Sequence, residues 1–173
     1  MSWHRRDILT VIGVGLLGGC GFQPLYGQRA QSNSAPAQFS QIALNPIDGR
    51  AGHHLQNYLI DRFSARGGNI KKAYRLDIAL TERKDGLAIR EDESVTRFNY
   101  RLLGAVRLTR IQDQKILYET SLRATSAFNV VDSEFATLSA ERDAEERAAR
   151  DLSGEVVTRL ALYFQRSAAQ PPA

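Results

Sequence analysis

Apolar and polar side chains alternate along three segments in the middle of the chain. Residues 74–81, 98–109 and 116–128 repeat with the period of two that is typical of a β-strand with one buried face. A shorter segment, residues 39–44, stops at Asn45-Pro46, because proline cannot donate a hydrogen bond to a neighbouring strand. The pattern predicts a sheet of about four strands, largely antiparallel or mixed.

Polar segments between these strands indicate where the chain turns. Lys84-Asp85-Gly86 is typical of a turn, and residues 87–89 either extend the preceding strand or start it again. Gln112-Asp113-Gln114 is a short polar turn. The segment that follows it is therefore expected to be the antiparallel partner of the segment before it.

An amphipathic helix is predicted on the N-terminal side of the three long strands, at residues 50–66. Leu55, Leu59 and Phe63 recur every four positions there, as the apolar stripe of a helix does. The two glycines at 67 and 68 are typical of a helix stop, since glycine readily adopts the left-handed conformation that ends many helices.

A second, longer helix is predicted on the C-terminal side of the strands. It begins near Ser139, a suitable N-cap, and ends near Phe164. Gly154 lies inside it, where we expect a kink or close packing. The apolar stripe of this helix consists of Ala144, Ala148, Leu152, Val156, Leu160 and Phe164.

Both helices need a surface against which to bury their apolar stripes. The simplest arrangement lays them on the apolar face of the sheet, which predicts an α+β fold, a two-layer sandwich. The other face carries arginines: Arg97, Arg101 and Arg107 on one strand, with Arg75 and Arg123 able to join them. That face is either an ordinary solvated surface or a site for an anionic ligand, because guanidinium groups match phosphates and carboxylates.

The N-terminus has the pattern of an export signal that ends in a lipidation site. Arg5 and Arg6 precede an apolar segment, residues 8–17, which is too short to span a bilayer. Leu17-Gly18-Gly19 then leads to Cys20, the only cysteine. We interpret Cys20 as the lipidated first residue of a mature bacterial lipoprotein carrying acyl chains such as palmitate, rather than a buried free cysteine after an ordinary signal.

The domain organisation follows from this interpretation. Residues 1–19 are the signal peptide, and residues 20–37 are the lipidated N-terminus and a flexible tether. Residues 38–165 form a single α/β domain, and residues 166–173 a disordered tail. The export route, general secretory or twin-arginine, stays open.

Composition and charge exclude several classes of function. From Cys20 onward the formal net charge is +3, since the first 19 residues hold two of the 23 Lys and Arg and one of the 19 Asp and Glu. That charge is too small to indicate a nucleic-acid partner. No catalytic motif occurs, and the adjacent His53 and His54 point too far apart on a helix to hold one metal ion. We therefore expect no enzymatic activity, no metal site and no cofactor.

Residues 20–27, with the sequence CGFQPLYG, resemble the start of mature members of the LptE lipopolysaccharide-assembly family, in its alphaproteobacterial form. The order of predicted elements and the alanine-rich residues 148–164 are also similar to that family. The resemblance implies a non-enzymatic outer-membrane lipoprotein that lies inside the β-barrel LptD, one copy per barrel. There it would act as plug, assembly factor and lipopolysaccharide-binding element, on the periplasmic and lumenal side.

The resemblance also implies ligand-binding residues. Arg90, in the loop between the second and third strands, matches a basic position of the family, and Arg142 matches a second one loosely. Arg97 and Arg101 are further candidates from the polar face of the sheet. Gly21, rather than an aspartate, favours the outer membrane. The alternatives are an accessory lipoprotein of another envelope transport or secretion complex, and a lipid-linked hydrolase.

Overall fold

The computed structural model describes residues 38–64, 70–89 and 95–169. Cys20, the predicted signal peptide and tether, and Arg90 lie outside these residues. The described elements are, in chain order, β1 (Ile42–Leu44), α1 (Arg50–Phe63), β2 (Tyr74–Ile89), β3 (Val95–Arg110), β4 (Ile116–Asn129) and α2 (Glu134–Ala169).

The four strands form one mixed sheet in the order β1-β2-β3-β4. β1 runs parallel to β2, whereas β2–β3 and β3–β4 are antiparallel neighbours. The chain turns between β3 and β4 at residues 111–115, where Gln114 has a φ of 55°. The predicted mixed sheet and the predicted turn at Gln112-Asp113-Gln114 are both confirmed.

Both helices lie on one face of this sheet, which confirms the predicted two-layer α+β sandwich. Since successive side chains of a strand point to opposite faces, the apolar positions of each strand collect under the helices. The fully buried core residues come from both layers: Leu76, Tyr100, Leu102, Val106 and Leu108 from the sheet, and Leu55, Leu59, Leu152, Val156 and Leu160 from the helices.

The two helices run in the same direction. Arg50, at the start of α1, donates hydrogen bonds from Nε to both carboxylate oxygens of Glu145 at 2.9 and 3.0 Å. Further along α1, the Tyr58 hydroxyl donates to Glu146 at 2.7 Å. Residues further along α1 therefore contact residues further along α2, so the two helices are parallel.

Two glycines mark where α2 approaches its neighbours. A Cβ at Gly104 of β3 would lie 3.3 Å from Leu152 Cδ2 and 3.5 Å from Leu80 Cδ2, so the bare backbone lets α2 cross close to the sheet. At Gly154 the helix continues without a break, and a Cβ there would lie 3.6 Å from Nη1 of Arg62. The close packing that was the second alternative for Gly154 is not found, because 3.6 Å is an ordinary contact.

The first predicted strand is shorter than the sequence pattern indicated. β1 begins at Ile42, where pairing with Tyr74, the first residue of β2, begins. Before it, the carbonyl oxygen of Gln41 accepts hydrogen bonds from the N–H groups of Ala73 and Tyr74. Phe39 instead lies in a helical turn, where its ring stacks on Phe63 at 5.5 Å and meets the edge of Phe164 at 6.1 Å. The ring is 5% exposed, so the aromatic residue contributes to the core rather than to the sheet.

The turn predicted at Lys84-Asp85-Gly86 was also wrong. β2 continues through these residues to Ile89, and the register shifts between Gly86 and Ala88. A bulge of this kind accommodates a glycine without ending the strand. β2 and β3 therefore form a hairpin that is longer than expected.

The long helix extends beyond both of its predicted ends. It begins at Glu134 rather than Ser139, and Ser133 Oγ accepts a hydrogen bond from the backbone N–H of Ala136 at 3.4 Å. It ends at Ala169, so residues 166–169, which were expected in a disordered tail, are helical. Within the described residues, no helix combines the length and the apolar character needed to cross a membrane.

Candidate functional site: the open face of the sheet

The face of the sheet that points away from the helices carries most of the charged residues of the strands. We call this surface the open face. The pairing register of the strands brings together on this face the arginines that the alternation in the sequence predicts on one side of the sheet. It includes Arg75, Asp77, Arg83 and Asp85 from β2, Arg97, Arg101 and Arg107 from β3, and Glu119 and Arg123 from β4.

At one end of the open face, charges of opposite sign neutralise each other. We call this the paired end. Arg107 lies opposite both Asp77 and Glu119, and it donates to Glu119 Oε1 from Nη2 at 2.8 Å and from Nε at 3.2 Å. This hydrogen bond raises the pKa of the Arg107 guanidinium. Arg75 lies 3.4 Å from Asp77, so two arginines share two carboxylates there.

At the other end, arginines outnumber carboxylates among the described residues. We call Arg83, Arg97, Arg101 and Arg123 the arginine cluster. Arg83 lies directly opposite Arg101, an arrangement that destabilises a sheet because like charges repel. Asp85 Oδ2 lies 3.1 Å from Arg101 Nε and relieves part of this repulsion.

The other three members of the cluster form no ion pair within the described part of the chain. Arg123 lies opposite Leu103, two positions along β3 from Arg101, so the cluster spans three adjacent strands. Arg83 and Arg101 lie opposite each other on strands about 4.8 Å apart, which places these two guanidinium groups within reach of one phosphate. Arg97 and Arg123 are six positions, or about 20 Å, apart along the strands, so only a larger anion could span the whole cluster. The arrangement suits an anion with several oxygens, such as a phosphate group.

A polar layer lies on the opposite side of the sheet, between its strands and the helices. Glu145 is only 3% exposed and is held by Arg50, while Lys84 pairs with Glu141. Tyr100 is fully buried, and its pKa is raised first by burial and then by the neighbouring Glu82. Arg50 and Glu145 join the two helices, and Lys84 and Glu141 join the sheet to α2, so we assign these groups to the fold rather than to a binding site.

The structure separates the site residues predicted from the sequence. Arg97 and Arg101 lie on the open face, as expected. Arg142 is exposed on α2, in the other layer, and is therefore not part of the same surface. Arg83 was missed because the predicted turn at residues 84–86 ended the strand before its alternation could be followed.

Metal binding is not indicated by the described residues. Within the ranges that the structure describes, histidine, cysteine, aspartate and glutamate side chains do not gather in threes or more where an ion could bind. The open face thus offers positive charge and hydrogen-bond donors rather than a metal-ligand set.

Three solved structures of bacterial proteins share the fold. A protein from Caulobacter crescentus CB15 described as a lipoprotein superposes with a TM-score of 0.63 and 21% identity, covering 78% of this chain and 98% of its own. A minor lipoprotein from Acinetobacter baumannii gives 0.53 and 19%, covering 70% and 90%. The rare lipoprotein B from Shewanella oneidensis gives 0.54 and 6%, covering 69% and 92%.

These identities are too low to show more than a common fold, and no curated protein matches the chain. A family model does. The model for LptE, described as lipopolysaccharide-assembly, matches residues 39–160, from the first core aromatic residue to the last turns of α2. The chain therefore belongs to the LptE family, a family of non-enzymatic lipoproteins.

Proposed function

We propose that the protein is an outer-membrane lipoprotein, anchored by a lipid on Cys20, that assembles with and plugs an LptD-type β-barrel. It helps to deliver lipopolysaccharide to the outer leaflet and carries out no catalysis. The observation that carries this proposal is the LptE family match over residues 39–160. The N-terminal sequence that ends at Cys20 supports the lipid anchor.

The arginine cluster supports a direct contact with lipopolysaccharide. The ligand carries phosphates on an acylated disaccharide, and a guanidinium group can bind a phosphate through two parallel hydrogen bonds. The proposed contact residues are Arg90, Arg97, Arg101 and Arg142, to which the structure adds Arg83 and Arg123 as candidates. Arg97 and Arg101 are the stronger pair, because they share the open face with the two added arginines.

The test of the proposed assembly is affinity purification of the tagged protein from detergent-solubilised outer membranes, followed by mass spectrometry. We expect one large β-barrel protein in near-equal molar amount. Recovery of inner-membrane transporter subunits, or of no partner, would contradict the proposal. The first of these results would favour an accessory lipoprotein of another envelope complex.

The lipid anchor is tested separately from the partner. The purified protein is partitioned between a detergent phase and an aqueous phase, since a partner cannot retain it there. We expect wild-type protein in the detergent phase and Cys20→Ala in the aqueous phase, with the same circular dichroism spectrum. A Cys20→Ala protein that still enters the detergent phase would overturn the assignment of the lipid to Cys20.

A further inference from the structure

The outer edge of β2 is covered only along its first residues. β1 pairs with β2 over three positions, Ile42↔Tyr74 to Leu44↔Leu76. One further hydrogen bond runs from the backbone N–H of Asn45 to the carbonyl oxygen of Leu76 at 3.1 Å. β2 then continues to Ile89 without a neighbour on that side among the described residues.

The hydrogen bonds at the start of β2 identify which backbone groups point to this edge. The N–H of Tyr74 bonds to Gln41 O and the carbonyl of Leu76 to Asn45, so both residues point towards β1. Direction alternates along an antiparallel strand, and the next residues pointing outward are Ile78, Leu80, Glu82 and Lys84. In the described part of the chain, the N–H and C=O groups of these four residues form no hydrogen bond. We call them the open row; it is about 20 Å long.

A groove lies beside the beginning of the open row. It has a volume of about 510 Å³, and Ala79 and Ala105 are among its lining residues. Asn45 and Pro46, where the chain leaves the line of β1, also line it. Asp77, Arg107 and Glu119 of the paired end line it as well, so the groove runs from the edge of β2 across the open face.

An extended backbone fits this edge better than other ligands do. The open row presents donors and acceptors in alternation, which another strand can pair continuously. Side chains change along the row from apolar Ile78 and Leu80 to charged Glu82 and Lys84. A strand with an apolar residue near Leu80 would complement the first part.

A second copy of this chain complements the edge poorly. In a symmetric antiparallel pair centred on the open row, Arg83 would lie opposite Ala79, and Glu82 opposite Leu80. Neither charge would then gain a partner of opposite sign. A pair centred on Arg83 would join Glu82 to Lys84, but it would place the Arg83 side chains of the two copies opposite each other, and like charges repel. The edge therefore favours an extended segment from a different protein.

We infer that the open row, from Ile78 to Lys84, receives an extended strand of the β-barrel partner, which lengthens the sheet along the line that β1 leaves at Asn45. This inference rests on the proposed function. It adds to it a surface and a mode of binding, in which main-chain hydrogen bonds supply the affinity.

The test compares two proline substitutions on opposite edges of the sheet. Glu82→Pro removes an outward N–H at an exposed position, and Ser121→Pro removes the equivalent outward N–H on β4. Glu82→Ala removes only the side chain. We expect Glu82→Pro to lower the amount of barrel protein recovered with the tagged lipoprotein by about tenfold or more. The other two variants are expected to recover wild-type amounts.

Thermal unfolding of the three variants shows whether each one folds. Hydrogen–deuterium exchange on wild-type protein, alone and with the co-purified barrel, provides a measurement that needs no variant. The amides of Leu80, Glu82 and Lys84 are expected to exchange fast in the free protein and at least about tenfold more slowly in the complex. The intervening amides of Thr81 and Arg83 bond to β3 and are expected to be slow in both.

The outcomes separate this inference from the proposed function. Wild-type protein that captures no barrel overturns both. Wild-type protein that captures the barrel, with a folded Glu82→Pro that captures it equally, overturns the edge assignment alone. Unchanged exchange of the open row in the complex does the same.

Discussion

The two ends of the open face consist of the same three strands, but their arginines differ in whether they form ion pairs with carboxylates. At the paired end, Arg107 lies between Asp77 and Glu119, and Arg75 lies beside Asp77. In the arginine cluster, Arg83 faces Arg101, and three of the four guanidinium groups have no carboxylate partner within the described residues. An exposed ion pair contributes only about 0–1 kcal/mol to stability, so the paired end gains little.

The contrast lies instead in the availability of charge. The N–H groups of a guanidinium in an ion pair already bind a carboxylate, whereas an unpaired guanidinium can donate two parallel hydrogen bonds to a phosphate. A sheet selected for stability alone would place an acidic residue at position 83, opposite Arg101. Among the described residues, the cluster therefore differs from the paired end in holding more arginines than carboxylates.

The largest effect is expected from removing charge at the cluster. Arg83→Ala/Arg123→Ala should weaken binding of purified lipopolysaccharide by about tenfold or more, because each lost charge-assisted contact is worth about 1.5–3 kcal/mol. Binding is measured by titration at fixed salt concentration, since salt screens exposed charges. Dephosphorylated ligand should show little difference between variant and wild type.

The matched control for this variant is Arg75→Ala/Arg107→Ala, which removes the same net charge from the paired end of the same face. It should change the affinity by less than about twofold, because these side chains already bind carboxylates. Equal losses of lipopolysaccharide affinity in the two double variants would show that the affinity depends only on net charge. That result would contradict the distinction between the two ends.

A smaller effect is expected from making the paired end resemble the cluster. Asp77→Ala/Glu119→Ala frees Arg75 and Arg107 and should strengthen lipopolysaccharide binding by about threefold, limited because the freed side chains are not preorganised. Asp61→Ala/Asp143→Ala, at exposed positions of the two helices, changes the net charge equally, but on the other layer. If that control binds as tightly as the sheet variant, position on the open face is irrelevant.

The smallest effect is expected on stability. Arg83→Glu places a carboxylate opposite Arg101 and should raise the free energy of unfolding by about 0.2–1 kcal/mol, while binding falls. Arg107→Glu, which brings a third carboxylate between Asp77 and Glu119, should lower it by a similar amount. Urea denaturation at low salt measures both changes, and a loss of stability in Arg83→Glu would contradict the account of the cluster.

Alternation of apolar and polar residues was sufficient to predict most of the sheet and the shared face of its arginines. The residues that alternate through β3, from Phe98 to Thr109, pair over their whole length with both neighbours. A period of two determines the face of each side chain once one face is buried. For that reason Arg97 and Arg101 could be placed on the open face from the sequence.

Other features depend on partners that a local pattern does not contain. The polar residues Lys84-Asp85-Gly86 have the composition of a turn, yet pairing with Tyr100, Asn99 and Phe98 of β3 keeps them in a strand. Arg83 was missed for this reason. The length of β1 is likewise set by where β2 begins. The start of α2 before Ala144 has no buried apolar stripe to reveal it, and its exposed Phe135 and Leu138 do not extend the periodic pattern.

The contact between Phe39 and Phe164 places the start of the described chain at one end of the sheet. Tyr74, at the start of β2, also lies against Phe164, with ring centroids 5.4 Å apart, so the described chain enters at the Tyr74 end of the sheet. Arg83 lies nine residues further along β2, or about 30 Å away. The length of β2 therefore sets the separation between the residue at which the described chain begins and the arginine cluster.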